Sequence, residues 1–240
     1  MPKLAIVAAL EREVSALIKH WTRTEREHEG GKFIFFEHAN VVCVCGGIGV
    51  QSARRAAQAV IALYHPDLIQ SVGFAGSLDA NFHVGDILAP AVVLDARDGS
   101  RFPLAGGNGM LVTFMEVAGA SQKIKLGEAY AAQAIDMEAA AVAAAASTHS
   151  IPFGATKVIS DEIDFEIPAM SRFITSNGRF HTMSFVLFVT PRPWLWKRVM
   201  VLARNSRIAA SVLAQHLQQL ILSPGQSVIA PLTRTAGDRN

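Results

Sequence analysis

Short apolar runs recur along this chain, and each ends in glycine or acid just before a helical pattern begins. Leu4 to Ala9 is continuous and apolar, which predicts a buried central strand, and it runs straight into Glu11, Glu13, Val14 and Leu17 at helical spacing. Lys32 to His38 and Val41 to Cys45 read as two further strands. An Ala-rich helix follows from Gln51 to about Tyr64, ended by Pro66. Leu68 to Val72 is a strand closing on Gly73 to Ser77; Val84 to Leu94 is another, and Asp98 to Gly109 reads as loop. Met110 to Val117 is a strand, Gln122 to Ala131 a helix, Ala134 to Glu138 a strand end, Ala139 to Ala146 a helix and Ala155 to Ile159 a last strand. The final helix runs from about Trp194 to Leu222. Strands alternating with helices predict an α/β architecture with a central mixed, largely parallel sheet flanked by helices.

The chain has 240 residues, enough for one core, and no linker divides it, so residues 1–222 are expected to form one domain and 223–240 a disordered tail. A net charge of +2 leaves no electrostatic footprint for bulk nucleic acid. Cys43 and Cys45 sit two apart on one strand and point to one face, a poor placement for a disulfide. The eight histidines are scattered without metal-ligand spacing, so no metal is expected. The N-terminal apolar run is too short for a signal peptide and no run reaches membrane-spanning length, which places the expectation in the cytoplasm.

Ligands of open α/β sheets bind beyond the carboxyl ends of the strands. Five such ends carry unusual residues: Glu11/Glu13, Gly46 to Gly49, Gly73 to Ser77, Met137-Glu138 and Ser160-Asp161. The first glycine run opens a helix, so its N–H groups could hold an anion or a sugar oxygen, or simply make a tight turn. It is no dinucleotide fingerprint. Gly73 to Ser77, with Ala75 and Gly76 between, lets the backbone approach a ligand. Glu138 lies among apolar residues, where a carboxylate needs a partner or a purpose. Glu138 and Asp161 also have plain readings, as a helix N-terminal acid and an N-cap. Glu11 and Glu13 diverge on a helix, so one of them faces the site.

Taken together, Ile6 to Val14, Gly47-Ile48-Gly49, Gly73-Phe74-Ala75-Gly76, Val84-Gly85-Asp86, Ile135 to Ala139 and Ile159-Ser160-Asp161 resemble the methylthioadenosine/S-adenosylhomocysteine nucleosidases and, more broadly, the nucleoside phosphorylase superfamily. The resemblance covers about residues 4 to 162 and implies a three-layer phosphorylase/hydrolase-like fold. It implies cleavage of the N-glycosidic bond of an adenine nucleoside, without metal or organic cofactor. Glu138 then bonds the ribose hydroxyls, Met137 packs on the sugar, Asp161 protonates purine N7 with help from Ser160, and Glu13 activates water. It further implies a homodimer whose partner loop closes the site.

Two features depart from the nucleosidases. The stretch between Asp86 and Met137 is short, so the loop from Val117 and Ala118 to Ser121 is expected to border the base. Residues 165–200 mix Phe and Trp with Arg and Lys, which suits a membrane interface or a large apolar ligand, or else a helical hairpin packed on the core or a subunit contact. With Arg192-Pro193-Trp194-Leu195-Trp196, the shortened middle resembles the hopanoid-associated nucleoside phosphorylases, proposed to act on an adenosyl-lipid. Phosphate as nucleophile would draw on Gly47, Arg54 and Ser77, with Arg12 and Arg55 as further cations. Glu13 favours water, because a carboxylate at the nucleophile position repels phosphate. A catalytically silent nucleoside-binding protein is a further alternative, against which the intact Glu138 and Asp161 speak.

Overall fold

The computed structural model describes residues 3–166, 170–173, 175 and 178–222. The expected tail 223–240 and part of the 165–200 segment lie outside the described residues. Strand β1 (Leu4–Ala8) is buried along its length and passes into helix α1 (Glu11–Ile18). A hairpin of β2 (Thr22–His28) and β3 (Gly31–His38) leads to β4 (Val41–Cys45), helix α2 (Val50–Tyr64) and β5 (Leu68–Ser77). Then come β6 (Ile87–Leu88), β7 (Val92–Asp95), β8 (Arg101–Pro103), β9 (Met110–Thr113), helix α3 (Ala120–Tyr130), β10 (Ala134–Asp136), helix α4 (Ala139–Thr148) and β11 (Phe153–Asp161). A 3-10 turn at Met170–Phe173 precedes the helices α5 (Thr182–Val189) and α6 (Pro193–Leu222).

The strands form one mixed sheet in the order β2-β3-β4-β1-β5-β10-β9-β7-β8, with β11 beside β5 and β6. Its centre is parallel: β4, β1, β5 and β11 all run the same way. Alternation along β1 divides the core. Ala5 and Val7 pack with α2 and α4, while Leu4, Ile6 and Ala8 pack with α1 and α6. The run Ala139 to Ala146 is almost wholly buried, and its small side chains let α4 lie against both α2 and the sheet. Helix α6 is the long outer support of the other face: Ala209, Leu213 and Leu217 are buried against Ile6, Val14 and Val158.

Several elements differ from the sequence reading. Gly73 to Ser77 is no turn but the second half of β5, because β11 keeps pairing with it as far as Gly76. Beyond the reach of β1, the end of β5 turns to pair antiparallel with β10. The expected strand Val84 to Leu94 is broken into β6 and β7 around Pro90, which has no N–H to give a ladder. Met110 to Val117 is strand only to Thr113, and the loop Asp98 to Gly109 contains β8. Strand β2 went unread because its side chains are mostly charged or polar and exposed, as befits a sheet edge.

Replacing Leu213 by Ala removes a fully buried side chain from the α6 seam. The variant is expected to lose about 2–5 kcal/mol of stability, read as a shift of the urea midpoint.

Candidate active site

The carboxyl ends of β1, β5, β10 and β11 meet around a cavity of about 740 Å³. Glu13, Glu138 and Asp161 all line it, with Ala75, Gly76, Val117, Ala118, Met137 and Ser160. These residues come from far-separated stretches: the parallel sheet centre brings the ends of β1, β5 and β11 to one side, and the antiparallel pairing of β10 with the end of β5 adds Met137 and Glu138.

Glu13 stands in the first turn of α1, where it is 6% exposed while Glu11 is exposed, as their spacing on a helix requires. Its Oε2 accepts the Leu10 N–H at 3.4 Å. Burial raises the Glu13 pKa, against the opposing pull of Lys157 and that N–H. Glu138 precedes α4, and its Oε1 accepts the N–H of Gly49 at 2.8 Å. Gly49 has φ 94°, a left-handed geometry that favours glycine and turns its N–H to the carboxylate. The glycine turn thus holds a protein carboxylate. Enclosure by protein, and then the Asp136 carboxylate nearby, push the Glu138 pKa up to about 7.

The two glycines of Gly73-Phe74-Ala75-Gly76 have an unforeseen use. A Cβ on Gly73 would lie 2.9 Å from Glu13 Oε2, and one on Gly76 would lie 2.9 Å from Asp161 Oδ2. They make room for acids of the protein itself. Asp161, 5% exposed at the end of β11, accepts the Ser160 hydroxyl proton on Oδ1 at 2.7 Å.

Two cations escaped the sequence reading. Lys157 is 1% exposed in β11 and pairs with Asp136 at 2.9 Å. Burial opposes its charge most strongly, yet Asp136, Glu138 and Glu13 together raise its pKa. Asp136 is itself tied down: it accepts the Thr113 hydroxyl at 2.6 Å and the Ala139 N–H at 2.8 Å. Lys123 of α3, also 1% exposed, pairs with Asp161. A lysine within the apolar strand around Val158 and Ile159 was a readable signal for Lys157. Lys123 sits in a mixed helical run and gave none.

Of the residues suggested for phosphate, Arg12 lines the cavity, while Gly47, Arg54 and Ser77 are engaged with the protein itself. Ser77 is fully buried and donates to the Asp79 carbonyl at 2.6 Å. Gly47 donates its N–H to the Ala9 carbonyl at 2.9 Å. Arg54 is half-buried on α2 and acts on Asp95. None of the three is among the cavity residues, whereas Arg12 and Arg207 are. Phe180, Phe185 and Val199 from the α5–α6 hairpin form an apolar wall.

A sheet of this topology with acids gathered at its strand ends defines a phosphorylase-type α/β fold. The chain matches the model of the Phosphorylase superfamily over residues 3–110 and 108–176, and it belongs to that family. Within it, the chain is similar to 5′-methylthioadenosine/S-adenosylhomocysteine nucleosidases. The one from Chromohalobacter salexigens is 31% identical over 96 residues, 39% of this chain and 41% of that protein. The one from Staphylococcus epidermidis is 26% identical over 196 residues, 66% of this chain and 86% of that protein. The first match therefore spans about two fifths of its relative's length. The apo 5′-methylthioadenosine nucleosidase of Arabidopsis thaliana superposes with TM-score 0.73 at 17% identity, covering 95% of this chain and 98% of that one; the likeness is one of fold.

A carboxyl whose pKa is raised on folding holds its proton in the folded state between its ordinary range and about 7. The folded state then binds more protons than the unfolded one, so this group's contribution to stability falls as pH rises through that window. Glu138→Gln is therefore expected to gain thermal stability relative to the wild type as pH rises from acid to neutral. Melting curves across that range check it, and parallel curves would contradict it.

Proposed function

We propose that this chain is a purine nucleosidase that hydrolyses the N-glycosidic bond of an adenine nucleoside and releases the base. The convergence of Glu13, Glu138 and Asp161 on one cavity carries the reading. Glycosidic cleavage passes through a cation-like sugar, and the leaving purine must take up a proton. Glu138, with Met137 beside it, faces the sugar and stabilises positive charge developing on the ring. Asp161, oriented by Ser160, delivers the proton at N7. Glu13 takes a proton from the attacking water, and its raised pKa makes it a stronger base than an exposed carboxylate. Val117 and Ala118 border the base.

Water is favoured over phosphate because the Glu13 carboxyl lines the cavity and would repel phosphate, while Gly47, Arg54 and Ser77 are engaged with Ala9, Asp95 and Asp79. The reading includes a homodimer whose partner loop closes the site. It also includes a peripheral contact with an anionic lipid surface through 165–200. No Asp or Glu occurs between Glu166 and Asp238, whereas Lys197, Arg198 and Arg204 are exposed. Beside them Trp194 is 69% exposed, Leu187 68% and Met183 72%. Basic residues with exposed Trp and aliphatic side chains are the composition of an interfacial helix. Among the described residues no helix is long and apolar enough to cross a membrane. An apolar cavity wall drawn from the same hairpin suits a substrate with a large apolar 5′ group, an adenosyl-lipid included.

Adenine release from 5′-methylthioadenosine, followed chromatographically with and without phosphate, tests the enzyme reading. Asp161→Asn and Glu13→Gln are each expected to slow release by about 100-fold or more. Free sugar as the product in both buffers supports hydrolysis, a sugar 1-phosphate supports phosphorolysis, and binding without turnover identifies a silent binding protein. For the lipid contact, the wild type is expected to sediment with anionic vesicles and a Trp194→Ala/Trp196→Ala double variant to stay in solution. Wild type that ignores the vesicles would remove the contact.

A further inference from the structure

Asp161 as the donor to N7 raises a question of proton supply. Its Oδ1 accepts the Ser160 hydroxyl at 2.7 Å, and its Oδ2 accepts from Lys123 Nζ. The Ser160 hydroxyl and the Lys123 Nζ thus both face the Asp161 carboxyl. Of these two donors Lys123 is the one whose side chain can give up a proton in acid–base exchange, and it also donates to the Glu162 carbonyl at 2.8 Å. Both partners are buried, Lys123 at 1% and Asp161 at 5% exposure, so bulk water is not the immediate source. The approach is built into the backbone. The Lys123 stem passes over Gly76, where a Cβ would lie 3.2 Å from Lys123 Cε.

We infer that the Lys123–Asp161 pair is the general acid of this site, with Lys123 as the residue that stores the proton and positions Asp161. The inference rests on the nucleosidase reading above. In the reaction, an N–H bond of the Lys123 ammonium breaks as the Asp161 O–H bond forms. That O–H bond breaks in turn as the proton reaches N7. The C1′–N9 bond breaks with its electron pair going to the purine, which leaves neutral, and the water oxygen bonds C1′ as Glu13 takes its proton. The proton taken from water by Glu13 returns to solvent, and Lys123 regains one from solvent once the products have left the cavity. Inside a low-dielectric cavity such a transfer is far less uphill than in water, because the neutral pair needs no solvation.

Arginine keeps the charge and the ion pair but does not give up its proton, so Lys123→Arg separates proton supply from charge placement. Wild type, Lys123→Arg and Lys123→Met are compared on 5′-methylthioadenosine and on its N7-methylated form, whose purine already carries the positive charge. Both variants are expected to lose about 100-fold or more in kcat on the first substrate, with KM little changed, and only a few-fold on the second. Lys123→Met keeps the stem without the guanidinium bulk, so a poor fit of Arg does not decide the result. Lys123→Arg at wild-type rate, or equal losses of both variants on both substrates, overturns the inference. Wild type that releases base from neither substrate overturns the nucleosidase reading instead.

Discussion

The Lys157 ammonium is the charge on which the cavity end of this sheet depends. It lies at 1% exposure within a strand whose neighbours are apolar, and it faces Asp136, Glu138 and Glu13. Three carboxylates gathered in a low-dielectric cavity would otherwise repel one another and shed their charge. A single buried cation lets part of that charge persist, while burial raises the pKa of both Glu13 and Glu138 and the Asp136 carboxylate adds to the rise at Glu138. A carboxyl whose pKa is raised is a stronger base than an exposed one. Buried ion pairs add little net stability, so this cluster is better understood as a device for function than for folding.

Around that cluster each structural element has a defined task. The parallel centre of the sheet aims strand ends at one side, and β5 alone touches β1, β11 and β10. Gly73 and Gly76 on β5 leave space for Glu13 on one side and Asp161 on the other. Asp136 links the layers, bonding Thr113 of β9, the start of α4 and Lys157 of β11. Two cation–carboxylate pairs, Lys157–Asp136 and Lys123–Asp161, therefore stand at the cavity.

Much of this was readable in the residues. Glu13, Glu138 and Asp161 each stand where an apolar run stops, and a carboxylate there is conspicuous. Their gathering around one cavity follows from the strand-end rule for α/β sheets. The elements missed are those whose local signal is weak. Strand β2 is mostly charged or polar, β8 is three residues long, and α5 is apolar nearly all round, without a helical stripe. The glycines of β5 were read as approach points for a ligand, since spacing cannot show that a side chain of the protein fills the gap.

By itself the sequence determined the alternation of strands and helices, the two buried faces of the sheet and the placing of acids at strand ends. These depend on periods of two and of 3.6 residues, which act over a few neighbours. The tertiary structure alone decided which carboxylate meets which cation. Lys123 reaches Asp161 and Lys157 reaches Asp136 through the packing of α3 and the register of β11, distances that no local pattern records. Ion pairing acts through space, and the crossing of layers sets who is close to whom.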